Sequence, residues 1–424
     1  MKLLADTNIH LENKRASRIF FVFIWVMYAL VYMTKNCFSG ALASIVAEGS
    51  LTLTQASYIS AAFYIAYTPL QILGGVFADK YSPEKLITVG LLGSAVSNVI
   101  IFFNQNFWVM LAAWVFSAII QFALWPAVFK IVSSQLVRSD RSKMVFFMTF
   151  ASSGGLIMAY AVSAFLPKWQ YNFAISAVVL VVLAIVLLVF CKGLNPILKK
   201  DSEPYVVGEV DHDNDPGRGH TTLGIFVMSG FLLVLPAVVI RAMVENGTKT
   251  LSPTMLFQSY ESVSPTLGNL LNILIIIAGV LGTFLIKTLI FPRLIKNELV
   301  CFLLVIILTV PFAVILRFVG DIPVWATVAG LCAVSMLLSA TGLLTQYYNT
   351  HFIKYGLNGT AAGVLNAAAS FGFVLNYCIF SSMAEALGWR TVTTVWMIMI
   401  ALTGVAIAFA IRPFVRFLKK TYKK

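Results

Sequence analysis

The chain has 424 residues, 59% hydrophobic and 11% charged, whereas soluble domains are about a quarter charged and under about half apolar, so an ordinary water-soluble fold is excluded. Thirty Lys and Arg against 17 Asp and Glu give a net charge of +13, and the placement of those charges decides whether they mark a nucleic-acid partner or a membrane surface. Cys37, Cys191, Cys301, Cys332 and Cys378 lie in or beside apolar runs with no CxxC spacing, which points to small buried hydrophobes and to neither a disulfide framework nor a metal site.

A helix needs about 20 apolar residues to cross a bilayer. Runs of that length predict twelve spans, at 18–46, 54–78, 85–104, 107–136, 143–166, 170–191, 222–247, 264–290, 297–317, 322–350, 359–385 and 391–414. The expected class is therefore an all-α integral membrane protein of two six-helix halves. Residues 1–17 form an N-terminal tail containing Asp6, Glu12, Lys14 and Arg15. With no small-residue cleavage site after it, the first run is expected to stay as a helix.

The first span (within the half at 18–191) carries Tyr28, Tyr32, Lys35 and Asn36. The second carries Tyr67 and Gln71 and ends in Asp79 and Lys80, with Lys85 following, and the fourth contains Gln121, Trp125 and Lys130. The segment 192–221 is the longest interruption, rich in acids and prolines, and is read as a solvated linker. A metal loop at Asp211-His212-Asp213-Asn214-Asp215 lacks the glycine and closing glutamate that calcium binding uses. In the second half, 222–414, the seventh span holds Arg241 and Glu245, the tenth Gln346 and Asn349, and the eleventh Asn366, Asn376 and Tyr377. A basic tail, 415–424, closes the chain.

An even number of spans puts both termini on one side. Twenty-three of the thirty basic residues fall on that side, which predicts cytoplasmic termini in a plasma (inner) membrane and contact with lipid headgroups in place of nucleic acid. Lys168, Lys249, Arg317 and Arg390 are assigned to the opposite side, and Lys35, Lys130 and Arg241 fall within spans.

The halves read as copies. Gly75-Val76-Phe77-Ala78-Asp79-Lys80 is followed about 207 residues later by Gly282-Thr283-Phe284-Leu285-Ile286-Lys287, and the same offset carries Gly155 to Gly363. Internal repeats of this kind mark secondary transporters, with substrate held between the halves.

Gly75-x-x-x-Asp79-Lys80-x-x-x-x-Lys85 resembles the loop signature of the major facilitator superfamily. Within it, the chain is most similar to the organophosphate:phosphate antiporters, on Tyr32-Met33-Thr34-Lys35-Asn36-Cys37-Phe38, Ile65-Ala66-Tyr67, Trp125-Pro126 with Lys130, Leu251-Ser252-Pro253-Thr254-Met255-Leu256, Gly359-Thr360-Ala361-Ala362-Gly363 and Gly388-Trp389. The resemblance implies the twelve-helix major facilitator fold and a phosphate grip from one arginine in the first span and one in the seventh. This chain departs from it: Lys35 and Glu245 stand at those positions, Gln71 replaces a second-span lysine, and no histidine occurs at Phe150–Ser152. Asp79, with Lys80 and Lys85, resembles the superfamily's gating latch.

Charges inside a bilayer are costly, about 2.5–3.5 kcal/mol each on insertion scales, so they mark function by default. Lys35 is a point-charge ligand for an anion or a partner for Glu245. Arg241 and Glu245, spaced i to i+4, are a structural pair, a proton-coupling site centred on Glu245, or substrate contacts. Lys130 either snorkels to water or lines the inner mouth. Tyr32, Asn36, Tyr67, Gln71, Trp125, Gln346 and Tyr377 complete the expected substrate pocket.

The expected function is secondary active transport of a small organic anion (organophosphate, sugar acid or carboxylate) by a monomer, with protons or inorganic phosphate as coupled species and no cofactor. A transporter-like receptor for an external solute and a multidrug efflux pump are the alternatives. An enzyme is disfavoured: no GxxxxGK[ST] segment occurs, and His10, His212, His220 and His351 lie in tail, linker or helix end.

Overall fold

The computed structural model describes residues 9–11, 13–132, 136, 141–194, 199–200 and 221–422. Among the described residues the fold is helical apart from a two-residue antiparallel pair, β1 (Ile9–His10) with β2 (Lys199–Lys200). The chain divides into two compact units, Met1–Val207 with Pro265–Leu270, and Gly208–Ser264 with Leu271–Lys424.

The helices up to the central segment are α1 (Lys14–Lys35), α2 (Cys37–Ala47), α3 (Leu53–Lys80), α4 (Pro83–Phe103), α5 (Phe107–Ile120), α6 (Leu124–Lys130), α7 (Arg141–Phe165) and α8 (Tyr171–Leu194). After it come α9 (Thr222–Met228), α10 (Phe231–Thr250), α11 (Ser252–Ser259), α12 (Pro265–Leu285), α13 (Glu298–Leu316), α14 (Val324–Thr350), α15 (Asn358–Leu375), α16 (Ser381–Leu387) and α17 (Trp389–Thr421). Among the described residues, ten helical stretches are long and apolar enough to cross a membrane. The other two expected spans fall on α3 and α7. On α8, Val178, Val182, Ile185 and Val189 form an exposed apolar stripe at helical spacing, a surface suited to lipid.

Several expected spans are interrupted, each for an identifiable reason. The first stops at Asn36, whose backbone and side-chain amides both donate to the Tyr32 carbonyl. The fourth breaks at Gln121–Ala123 before Pro126, which has no N–H to offer Phe122. The seventh breaks at Gly230, whose φ of 75° suits glycine and whose Cα faces Pro413 and Ala410 of α17. Short π-helical turns end or interrupt the eighth and eleventh spans at Ile286–Ile290 and Asn376–Phe380. The tail expected from 415 onward is helical through Thr421, because the apolar face of α17 continues with buried Phe414 and Phe417.

Glycines locate the close helix contacts within each unit and correct the repeat alignment. Gly74 of α3 faces the Phe122 carbonyl, and Gly282 of α12 faces the Met336 carbonyl of α14, whereas Gly75 has open space. The packing counterpart of Gly282 is thus Gly74. Gly155 of α7 lies against Ala29 and Tyr32 of α1, and Gly372 of α15 lies against Val239 and Met243 of α10. At Gly363, reached by a nearly constant offset, an added methyl would meet nothing within 4 Å. The offset drifts because the connecting segments of the halves differ in length, while close packing keeps one glycine at each crossing.

At the end of the second unit, His351 follows α14 and its Nε2 lies 2.9 Å from Glu298 Oε1 in the first turn of α13. His351 Nδ1 lies 3.0 Å from the Tyr422 hydroxyl, and Lys354 sits over the Tyr422 ring. These contacts pin the C-terminal end of α17 to two neighbouring helix ends.

Candidate functional site

In the first unit the site is built around the break after α1. Lys35 is the last residue of that helix, and the Asn36 turn projects it toward α3. Lys35 Nζ lies 3.9 Å from the centroid of the Tyr67 ring, 5.0 Å from Phe63, 5.5 Å from Tyr32 and 5.6 Å from Tyr64. Each ring turns a negative quadrupole toward the cation within the range where that attraction operates. Among the described residues no carboxylate forms an ion pair with Lys35. Behind this cage, Tyr28 lies edge-on to Tyr32 and tilted against Trp125, with centroid separations of 5.0 Å and 4.8 Å. Asn36 is buried, and Gln71 is half-buried one turn beyond Tyr67. Lys35, Tyr32 and Tyr67 are thus brought together, with Trp125 one ring behind. Phe63 and Tyr64 were missed, although their i−4 and i−3 spacing from Tyr67 places them on the same helical face.

In the second unit the site is a ladder of charges on α10. Arg241 Nη1 donates to Glu245 Oε2, and at 3.4 Å to the Leu338 carbonyl of α14. Lys249 Nζ donates to Glu245 Oε1 at 2.6 Å and to Ser339 Oγ at 2.8 Å. Ser339 Oγ lies 2.9 Å from the same Glu245 oxygen and donates to it. Small residues make the room: an added methyl at Gly342 would lie 3.2 Å from Arg241 Nη1, and one at Gly279 would lie 2.8 Å from Ser339 Oγ. Arg241 is buried, and its Nε has no hydrogen-bond partner.

Lys249, expected just beyond the seventh span, is helical and ion-paired. It lies inside α10, which runs three residues beyond the predicted span. Pro253 has no N–H to give the Lys249 carbonyl, and the Asn272 side chain supplies that hydrogen bond at 2.8 Å. The i+4 spacing from Glu245 was the available signal. Nearby, Asn376 Nδ2 donates to Asn246 Oδ1 at 2.7 Å and more weakly to Thr250.

Tyr377 follows Asn376 in the π-helical turn and is buried. Gln346 is exposed on α14, near the end of the helix and beyond the Leu338–Gly342 stretch that meets Arg241, so the structure does not gather it into the ladder. The expected gating residues sit at the junction of α3 and α4: Lys80 and Lys85 are exposed, and the Asp79 side chain lies outside the described residues. Lys130 donates to the Ala78 carbonyl at 2.7 Å, tying α6 to the end of α3. The Asp211–Asp215 segment also lies outside the described residues. No group of His, Cys, Asp and Glu suited to a metal occurs among those described.

Comparison with known proteins agrees with this architecture. The chain is 25% identical to the membrane sensor protein UhpC of Escherichia coli over 167 residues, 39% of this chain and 38% of that protein. It is 26% identical to a phosphoglycerate transporter protein of Salmonella typhimurium over 178 residues, covering 40% of this chain and 38% of the relative. A 75-residue stretch, 18% of this chain and 17% of the relative, is 36% identical to a probable sulfoacetate transporter, SauU, of Cupriavidus necator. The matched stretches thus span under two fifths of these relatives' own length. Among solved structures, a bacterial homolog to the human lysosomal transporter Spinster superposes with a TM-score of 0.74 at 14% identity, over 96% of this chain and 99% of that one. A D-xylose-proton symporter gives 0.69 at 12% identity, over 92% and 97%. These structures share the fold. The Major Facilitator Superfamily model matches residues 24–375, and the chain belongs to that superfamily as a multi-pass membrane protein.

Proposed function

We propose that the protein is a secondary active transporter of a small organic anion, working by alternating access as a monomer in the plasma membrane with both termini cytoplasmic. The observation that carries this reading is Lys35: a cation within a membrane span, held by four aromatic rings and ion-paired to no carboxylate among the described residues. A charge kept there at such cost is placed to meet an anionic ligand. Two relatives named as phosphoglycerate and sulfoacetate transporters support a small anionic substrate.

Glu245 is the proposed coupling group. As a carboxylate it holds Arg241 and Lys249 together, and as a neutral acid it offers each of them far less. Uptake of one proton at Glu245 therefore loosens two cations, which links protonation to anion handling. Exchange against inorganic phosphate is the other coupling mode, and Asp79, Lys80 and Lys85 are the proposed gate. The division into a tail at 1–17, helical halves at 18–191 and 222–414, a cytoplasmic linker at 192–221 and a basic tail at 415–424 belongs to the same reading.

Uptake of radiolabelled organic anions into proteoliposomes tests it, with Lys35→Ala as the control expected to lose uptake and ligand-induced thermal stabilisation. Binding without translocation would replace transport by sensing, the role named for UhpC.

A further inference from the structure

We infer that the Lys35 cage selects a singly charged anion, a carboxylate or sulfonate, against a doubly charged phosphate ester. This rests on the reading of the chain as an organic-anion transporter and names its substrate class. Among the described residues the cage offers one positive charge. In the first unit, Lys14, Arg15, Arg18, Lys80, Lys85 and Lys168 are exposed, and Lys130 is bound to the Ala78 carbonyl.

Around Lys35 the walls are ring faces: Tyr67 at 3.9 Å, then Phe63, Tyr32 and Tyr64, with Trp114 against Phe63. Ring faces carry negative quadrupole density, so they attract the ammonium and repel any negative charge left over once it is balanced. A carboxylate or sulfonate is balanced one to one. A phosphate dianion leaves one charge over the rings, in a place where water is scarce and charge is costly. Geometry agrees: an ammonium is a compact point charge with three rotatable donors and no planar fork, whereas phosphate is gripped best by the two-pronged guanidinium of arginine. The carbon skeleton of the anion then packs on the flat rings that enclose the lysine. The titratable groups facing Lys35 are Tyr32 on α1 and Tyr64 and Tyr67 on α3.

The test is thermal stabilisation of the purified full chain by glucuronate, isethionate and glycerol phosphate, titrated at about pH 5 and about pH 7.5. A phosphate ester passes from one charge to nearly two between these values, with its second pKa about 6. The sulfonate keeps one charge throughout and reports any change in the protein itself. The expected result is that glycerol phosphate loses about tenfold in apparent affinity at the higher pH relative to isethionate, as one unbalanced charge near ring faces implies. Lys35→Gln should abolish the response to all three, and Lys35→Arg, which adds a fork of donors but no second charge, should keep the loss of glycerol phosphate affinity at the higher pH. Equal or tighter binding of the phosphate dianion overturns the inference while leaving anion transport standing, and an unchanged response in Lys35→Gln removes Lys35 from the inference and from the transport reading alike. A wild-type protein that responds to none of the three overturns both.

Discussion

Lys249 Nζ donates to Glu245 Oε1 at 2.6 Å from one turn further along α10, while Arg241 holds the other carboxylate oxygen from one turn before. One acid thus serves two cations on a single helical face. Removing the acid leaves two buried positive charges facing each other, and removing either cation leaves a pair. Glu245→Gln is therefore expected to be the most damaging single change in the ladder, costing about 3–5 kcal/mol, the range for breaking a buried ion pair from one side. Lys249→Met should cost about 1.5–3 kcal/mol. Melting temperatures in detergent check the order, and a double variant should show coupling between the sites. In transport, Glu245→Gln should lose accumulation driven by a proton gradient while counterflow exchange continues. An unchanged pH dependence would remove Glu245 from the coupling role.

Tyr67 is the ring nearest Lys35, at 3.9 Å. Tyr67→Phe keeps the ring face and is expected to change anion affinity by less than about threefold. Tyr67→Leu removes the quadrupole, with an expected loss of about 0.5–2 kcal/mol in holding the ammonium and a weaker anion response. Equal affinities in the two variants would show that the ring contributes volume and no electrostatic attraction.

The glycine crossings give a test of packing that is independent of function. Alanine at Gly155 or Gly372 meets backbone of the neighbouring helix, so each should lower the melting temperature, by an amount corresponding to about 1–3 kcal/mol for overpacking. Gly363→Ala enters open space and should leave stability unchanged or slightly raised. A larger effect at Gly363 than at Gly372 would contradict the packing alignment of the two halves.

His351 lies 2.9 Å from Glu298, whose other oxygen is buried without a partner. His351→Ala takes away the one partner seen for that carboxylate among the described residues, and a loss of about 1–3 kcal/mol is expected. In the His351→Ala, Glu298→Leu double variant the loss should shrink, since no buried acceptor is then left unsatisfied. Calorimetry of the single and double variants separates this from a general loss of packing.

The span pattern was legible because apolar residues in runs of about 20 are what the bilayer demands, and the observed helices begin and end within a few residues of most predicted ones. Helix ends near polar residues were less legible. Lys249 follows the span expected to end at 247, yet it continues α10, where Glu245 and Ser339 accept its hydrogen bonds and Gly279 leaves space for it. Gln346, grouped with the site by its polarity, is exposed on α14 one turn beyond Gly342 and forms no hydrogen bond to the ladder among the described residues. Polarity within a span marks a candidate; which face of the helix it occupies relative to its neighbours decides its role.

By itself the sequence determined the membrane class, the approximate bounds of the apolar helices and the presence of charges at 35, 241 and 245 within them, because these follow from hydrophobicity along the chain. Tertiary structure decided their company. The rings around Lys35 come from two helices, and the Glu245 ladder needs Ser339 and Leu338 from a helix about 90 residues away. It also decided that Gly74 and Gly372, and neither Gly75 nor Gly363, hold the crossings. Such pairings depend on the distance and rotation between packed helices, which no one-dimensional pattern contains.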